Sequence, residues 1–162
     1  MTALLAPGDA FPDLSVPRVG GGRINLPEEL AGAYGVVLFY RGSWCPYCNA
    51  QLRAFERASQ SLAEAGGRVV ALSVDGEATT AALIERHGLT MPIGYGADAT
   101  AISAVTGAFV DSEDGYLQST GFLLDPSGEV AISVYSSGAI GRLVPEDVVG
   151  MLRYLRKHPP AT

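Results

Sequence analysis

The chain contains two cysteines, Cys45 and Cys48, which stand three positions apart in FYRGSWCPYC, Phe39 to Cys48. Three chemistries fit such a pair: reversible closure to a disulfide, half of a metal site, or two small buried side chains that react with nothing. Pro46 bears on the choice. Proline suits the first turn of a helix, where its missing N–H would lack a partner anyway. A helix opening at Pro46 puts Cys45 at the N-cap and Cys48 at the third helical position, so the two sulfurs can meet over one turn. Unpaired N–H groups and the positive end of the helix dipole favour a thiolate there, and the thiolate is the nucleophile. Such a site can bring a cysteine pKa from ~8.5 to about 7 or below, at about 1.4 kcal/mol per unit.

A structural zinc site needs a second close pair of ligands, and the two histidines, His87 and His158, are scattered. His87, beside Gly88, reads as a cap on helix C-terminal carbonyls, and His158 as a solvated tail residue. Neither a metal nor a cofactor is expected. Arg41 lies four residues before Cys45. Near the sulfur it would favour thiolate and hold an oxygen acceptor beside it; as a solvated loop residue it would do neither. Trp44 is expected to be partly exposed, either walling a partner site or packing the loop.

The elements that must position the pair follow from hydrophobic periodicity. Val36 to Tyr40 is a continuous apolar run, as in a strand buried on both faces. Cys48, Leu52, Phe55, Ser59 and Leu62 form one helical stripe, ended by Gly66-Gly67. A second buried strand spans Val69 to Val74, and a second helix Ala78 to His87. Asp98 caps a short helix that closes near Gly107. Asp125-Pro126-Ser127-Gly128 turns between antiparallel strands at 121–124 and 130–135, and Pro145 opens a last helix with Val148, Leu152 and Leu155 inward. Residues 6–30 are rich in turn formers and read as an extended segment with a hairpin whose tip is Gly20-Gly21-Gly22. The sum is an α/β chain: a central mixed β-sheet, helices on both faces and an N-terminal hairpin extension, in one domain over residues 1–162.

The chain is 48% hydrophobic and 17% charged, so it can bury a core without a disulfide staple. Its net charge of −6, without a basic run, argues against nucleic acid or an anionic membrane as partner. MTALLAPGDAFPDL has no basic n-region and no segment approaches ~20 apolar residues, so a cytoplasmic location is expected. Thiols stay reduced there, which favours a catalytic or metal-binding pair over a structural bridge.

Taken with PGDAFPDLSVP, VVLFY, LSVD and GFLLDPSGEV, the WCPYC stretch resembles the thioredoxin superfamily. Within it, the chain is similar to peroxiredoxin-like proteins of the alkyl hydroperoxide reductase and thiol-specific antioxidant group. The resemblance implies a thioredoxin-like fold and a thiol-dependent antioxidant oxidoreductase. Laid on the peroxiredoxin motif, Pro46 matches its proline and Cys48 the peroxide-attacking cysteine, with Cys45 in place of a threonine and left to resolve. Laid on a thioredoxin, Cys45 attacks a protein disulfide and Cys48 resolves. The chain departs from both patterns. Ser119-Thr120 stand where peroxiredoxins place an arginine and thioredoxins a cis-proline. The implied partners are a hydroperoxide or protein disulfide and an external dithiol reductant such as a thioredoxin-type protein; a homodimer is compatible. A different class of function, a non-enzymatic binding protein with the pair as redox sensor, is also open.

Overall fold

The computed structural model describes residues 3–159; the start of the N-terminal stretch read above lies outside them. A five-stranded sheet runs in the order β5-β4-β3-β6-β7. Its members are β3 (Tyr34–Phe39), β4 (Gly67–Leu72), β5 (Ile93–Gly94), β6 (Thr120–Leu124) and β7 (Val130–Tyr135). β3, β4 and β5 are parallel, whereas β6 pairs antiparallel with both β3 and β7. A separate hairpin joins β1 (Leu14–Pro17) to β2 (Arg23–Leu26). Gly20, Gly21 and Gly22 form its tip with φ of +95°, +112° and +77°.

Side chains alternate across the pleat of β3. Val36, Leu38 and Tyr40 join one core with Leu52 and Phe55 of α1 (Pro46–Arg57), Leu62 of α2 (Ser59–Glu64), Leu83 of α3 (Glu77–His87), and Val148 and Leu152 of α5 (Pro145–Lys157). Val37 and Phe39 join another with Ile24 and Leu26 of the hairpin, Ile102 of α4 (Ala99–Thr106) and Phe122. Helices therefore cover both faces, and double burial explains the unbroken apolar run at 36–40. Phe122 touches Phe11, Phe39 and Tyr135 edge to face, with ring centroids 5.2 to 5.6 Å apart.

Three readings change. The helix from Pro46 breaks at Ala58 (φ −90°, ψ 4°), which turns Ser59 outward while Leu62 stays in the core. The short strand β5 escaped notice because two residues carry no periodicity. Leu155 is half-buried rather than inward. Asp98 does cap α4, its carboxylate accepting from the Ala101 N–H at 3.0 Å.

The topology has one consequence for chemistry. β3 ends where β6 begins and β7 ends, as the pairing of Phe39 with Thr120 and of Thr120 with Tyr135 shows. Three loops, after β3, before β6 and after β7, thus meet at one end of the sheet, above the N-terminus of α1.

Candidate active site

Cys45 is the N-cap of α1, and its sulfur accepts the Cys48 N–H at 3.3 Å. Pro46 stands at the first helical position, as the sequence indicates. Both cysteines are free thiols with no exposed surface. The loop beneath them is pinned. Asp75 accepts the Ser43 N–H at 2.8 Å, and the Asn49 amide donates to the Ser43 carbonyl at 3.0 Å.

Arg41 is no solvated loop residue. Its guanidinium donates to Gln118 (3.0 Å) and to the Tyr116 hydroxyl (2.9 Å), and Nη1 lies 3.8 Å from Cys45 Sγ. It stacks over the rings of Trp44 (4.9 Å) and Tyr116 (5.1 Å), which meet edge to face. Its backbone N–H donates to Cys48 Sγ at 3.3 Å. Trp44 is 54% exposed, with its indole lying over Gly42, where a Cβ would come within 2.2 Å of Nε1. A side chain at 42 would thus disturb the stack that holds Arg41.

Sequence reasoning missed Arg142. It comes from the loop between β7 and α5, and its Nη2 donates to Cys48 Sγ at 3.2 Å and reaches Cys45 Sγ at 3.7 Å. Gln51, one turn beyond Cys48, aims it: the Gln51 carboxamide accepts from Arg142 Nη1 at 2.8 Å and donates to the Leu143 carbonyl at 3.0 Å. Ser119 and Thr120 are buried and bring no charge, so the second guanidinium reaches the sulfurs from another element. The available signal was topological, since a loop after the edge strand had to return to this end of the sheet.

The two thiols titrate against each other. Burial pushes Cys45 up, but the Cys48 thiol and N–H, then Arg41 and Arg142, outweigh it and hold Cys45 below the ordinary cysteine value. Cys48 moves the other way: burial and its hydrogen bond to Cys45 raise it, against the Arg41 N–H and Arg142. Of the two sulfurs, Cys45 is thus the one on which negative charge is favoured, and Cys48 the one that holds its proton more tightly. The neighbouring Tyr40 hydroxyl, pushed up to about 12 chiefly by burial, stays neutral.

Neither histidine approaches the pair. His87 does not cap α3, whose last carbonyls, of Glu85 and Ile84, accept from the Gly88 N–H; its Nδ1 faces Arg53 Nη1 at 3.4 Å. Burial first, then Arg53 and Arg86, hold its pKa below the ordinary value, so the neutral ring is favoured over the charged cap expected. His158 is exposed and stacks on Tyr154. Among the described residues no three His, Cys, Asp or Glu side chains gather as metal ligands, and no helix is long and apolar enough to cross a membrane.

The chain is similar to known proteins over most of its length. A peroxiredoxin of Methanothermobacter thermautotrophicus is 27% identical over 153 residues, covering 92% of this chain and 72% of that one. Alkyl hydroperoxide reductase C of Mycolicibacterium smegmatis is 24% identical over 161 residues, covering 89% and 82%. Among solved structures, peroxidoxin BcpB from Mycobacterium tuberculosis superposes with a TM-score of 0.80 at 21% identity, covering 94% of this chain and 99% of that one. Mycobacterium bovis AhpC does so with a TM-score of 0.81 at 19% identity, covering 99% and 98%. The AhpC/TSA family model matches residues 7–133. With that match, the chain belongs to the AhpC/TSA family, as a peroxiredoxin-like member of the thioredoxin superfamily.

Proposed function

We propose that this thiol-based oxidoreductase reduces hydroperoxides, cycling Cys45 and Cys48 between dithiol and disulfide. The observation that carries this reading is the convergence of two guanidiniums, Arg41 and Arg142, on one pair of buried sulfurs. Such a site favours thiolate and offers donors to the oxygens of a peroxide as its O–O bond breaks.

Cys48 is the attacking sulfur in this scheme. Its proton passes to Cys45 along their hydrogen bond, and the Cys48 thiolate attacks the hydroxyl oxygen of the hydroperoxide. An S–O bond forms, the O–O bond breaks, and the departing alkoxide takes the proton held on Cys45. Cys45 thiolate then attacks the sulfenic sulfur, forming the disulfide and expelling hydroxide, which solvent protonates to water. An external dithiol, of the thioredoxin type, restores the pair by exchange. The shorter contacts at Cys48, 3.2 Å from Arg142 and 3.3 Å from the Arg41 N–H, favour it as the sulfur held for attack.

A second reading has its own support. Cys45 is the thiol held below its ordinary pKa, which suits it to attack a protein disulfide, with Cys48 resolving. Anaerobic titration separates the two. The peroxidase consumes one hydroperoxide per disulfide formed and yields one alcohol. A pair that reduces a protein disulfide readily while leaving cumene hydroperoxide untouched contradicts it.

A further inference from the structure

The proposed cycle poses a problem of access, and the inference here rests on that cycle. Both sulfurs are covered in the dithiol form, yet a protein reductant must touch the disulfide. Arg41 and Arg142 reach over the pair, and they are held in different ways.

Arg41 keeps Gln118, the Tyr116 hydroxyl and two aromatic faces whatever the state of the sulfurs. Arg142 has Cys48 and Cys45, the neutral Gln51 carboxamide, and the Ala139 carbonyl at 3.0 Å, which belongs to its own loop. Among these partners only the sulfur pair can carry negative charge. The bonds to Gln51 and Ala139 join a cation to neutral oxygens, whereas a thiolate makes an ion pair, and a disulfide sulfur is uncharged. Oxidation therefore removes the ion pair on Arg142 and leaves Arg41 held by its side-chain partners.

The loop that carries Arg142 is fastened at both ends. Ser136 and Leu143 bound the loop. The Ser136 N–H donates to the Ser119 carbonyl at 2.9 Å, and Leu143 is buried with its carbonyl held by Gln51. Between them the Ser136 hydroxyl gathers the Ile140 carbonyl and the Gly138 N–H and carbonyl, so that 137–142 forms a compact unit without helix or strand. Ile140 projects from it, 68% exposed.

We infer that residues 137–142 form a redox-controlled latch: Arg142 closes it over the reduced pair, and disulfide formation releases it, admitting the dithiol reductant to the oxidised enzyme. Sorting of access by redox state follows. The dithiol form excludes a protein partner, and the oxidised form opens to the protein that must reduce it.

Trypsin reads the latch directly, because it cleaves after Arg142 only when that side chain is free. The disulfide is prepared with diamide rather than peroxide, and the dithiol form is freed of reductant under argon. Cleavage at Arg142–Leu143 is expected about tenfold faster in the disulfide form, while cleavage after Arg23 in the hairpin is unchanged. Backbone 15N order parameters at 137–142 should fall from about 0.85 toward 0.6 on oxidation, with those of α1 unaltered. Equal cleavage and equal order parameters in the two forms, or opening of α1 in place of the loop, would overturn the latch and leave the dithiol cycle standing. If no disulfide forms, the cycle fails and the latch with it.

Discussion

Arg142 Nη2 lies 3.2 Å from Cys48 Sγ, although 94 positions separate the two residues in the chain. The contact exists because the loop after β7 lies at the end of the sheet where α1 begins, and because Gln51 holds both Arg142 Nη1 and the Leu143 carbonyl. Arg142 also lies beyond residues 7–133, the span that matches the family model. The charge at this site is thus assembled from both ends of the chain.

Replacing Arg142 with Met should keep the stem and remove the charge. Loss of one preorganised donor to a developing anion costs about 10²-fold or more in rate. The Arg142→Met variant should react with cumene hydroperoxide about 10²-fold more slowly in stopped-flow measurements, and its Cys45 pKa should rise because one of the groups that lowers it is gone. Unchanged rate and unchanged alkylation profile would remove Arg142 from the mechanism.

Gly121 offers a gentler test of the same geometry. It faces Leu143, and an added Cβ would lie 2.8 Å from Leu143 Cδ1 and 3.1 Å from Cγ. Leu143 is buried and adjoins Arg142, so Gly121→Ala should shift the loop by a fraction of an ångström. A 1 Å misplacement can cost about 10²-fold; a loss of about tenfold in peroxide reactivity is expected, with far-UV circular dichroism unchanged. Full activity in Gly121→Ala would mean that the aim of Arg142 is not critical.

The pH dependence carries a definite sign. Cys45 is depressed, so its alkylation by iodoacetamide should hold its full rate to a lower pH than a free thiol, whereas Cys48 should react only at higher pH. Cys45→Ser removes the Cys45 anion, which raises Cys48 through both hydrogen bond and charge, and spares the Arg41 N–H and Arg142, which lower it. The midpoint for Cys48 should therefore fall in that variant. Mass-spectrometric alkylation profiles from pH 5 to about 10 check this across the thiol range, and a rise would show that the two thiols are not coupled as described.

Local signals made much of this arrangement legible. Pro46 marked the start of α1 and with it the cap position of Cys45, and the unbroken run at 36–40 marked a strand covered on both sides. The break at Ala58 left no trace, because nothing in the patterning of FERASQSL, residues 55–62, distinguishes a bent helix from a straight one when Ala, Ser and Gln occupy the bend. Arg41 was visible as a neighbour of the pair, yet its two aromatic faces and Gln118 depend on Tyr116 and the loop before β6. Arg142 depends on strand order, which periodicity does not encode. His87 misled for a related reason: its place at the end of α3 is local, but the Arg53 that faces it belongs to α1.

Which sulfur meets the peroxide, Cys48 as proposed or Cys45, decides the mechanism. Cys45→Ser and Cys48→Ser proteins, each given one equivalent of hydrogen peroxide with a dimedone-type sulfenic-acid probe, answer it by mass spectrometry. Label is expected on Cys48 in the Cys45→Ser protein, with much slower labelling of Cys45 in the Cys48→Ser protein. Rapid label on Cys45 with none on Cys48 would contradict it.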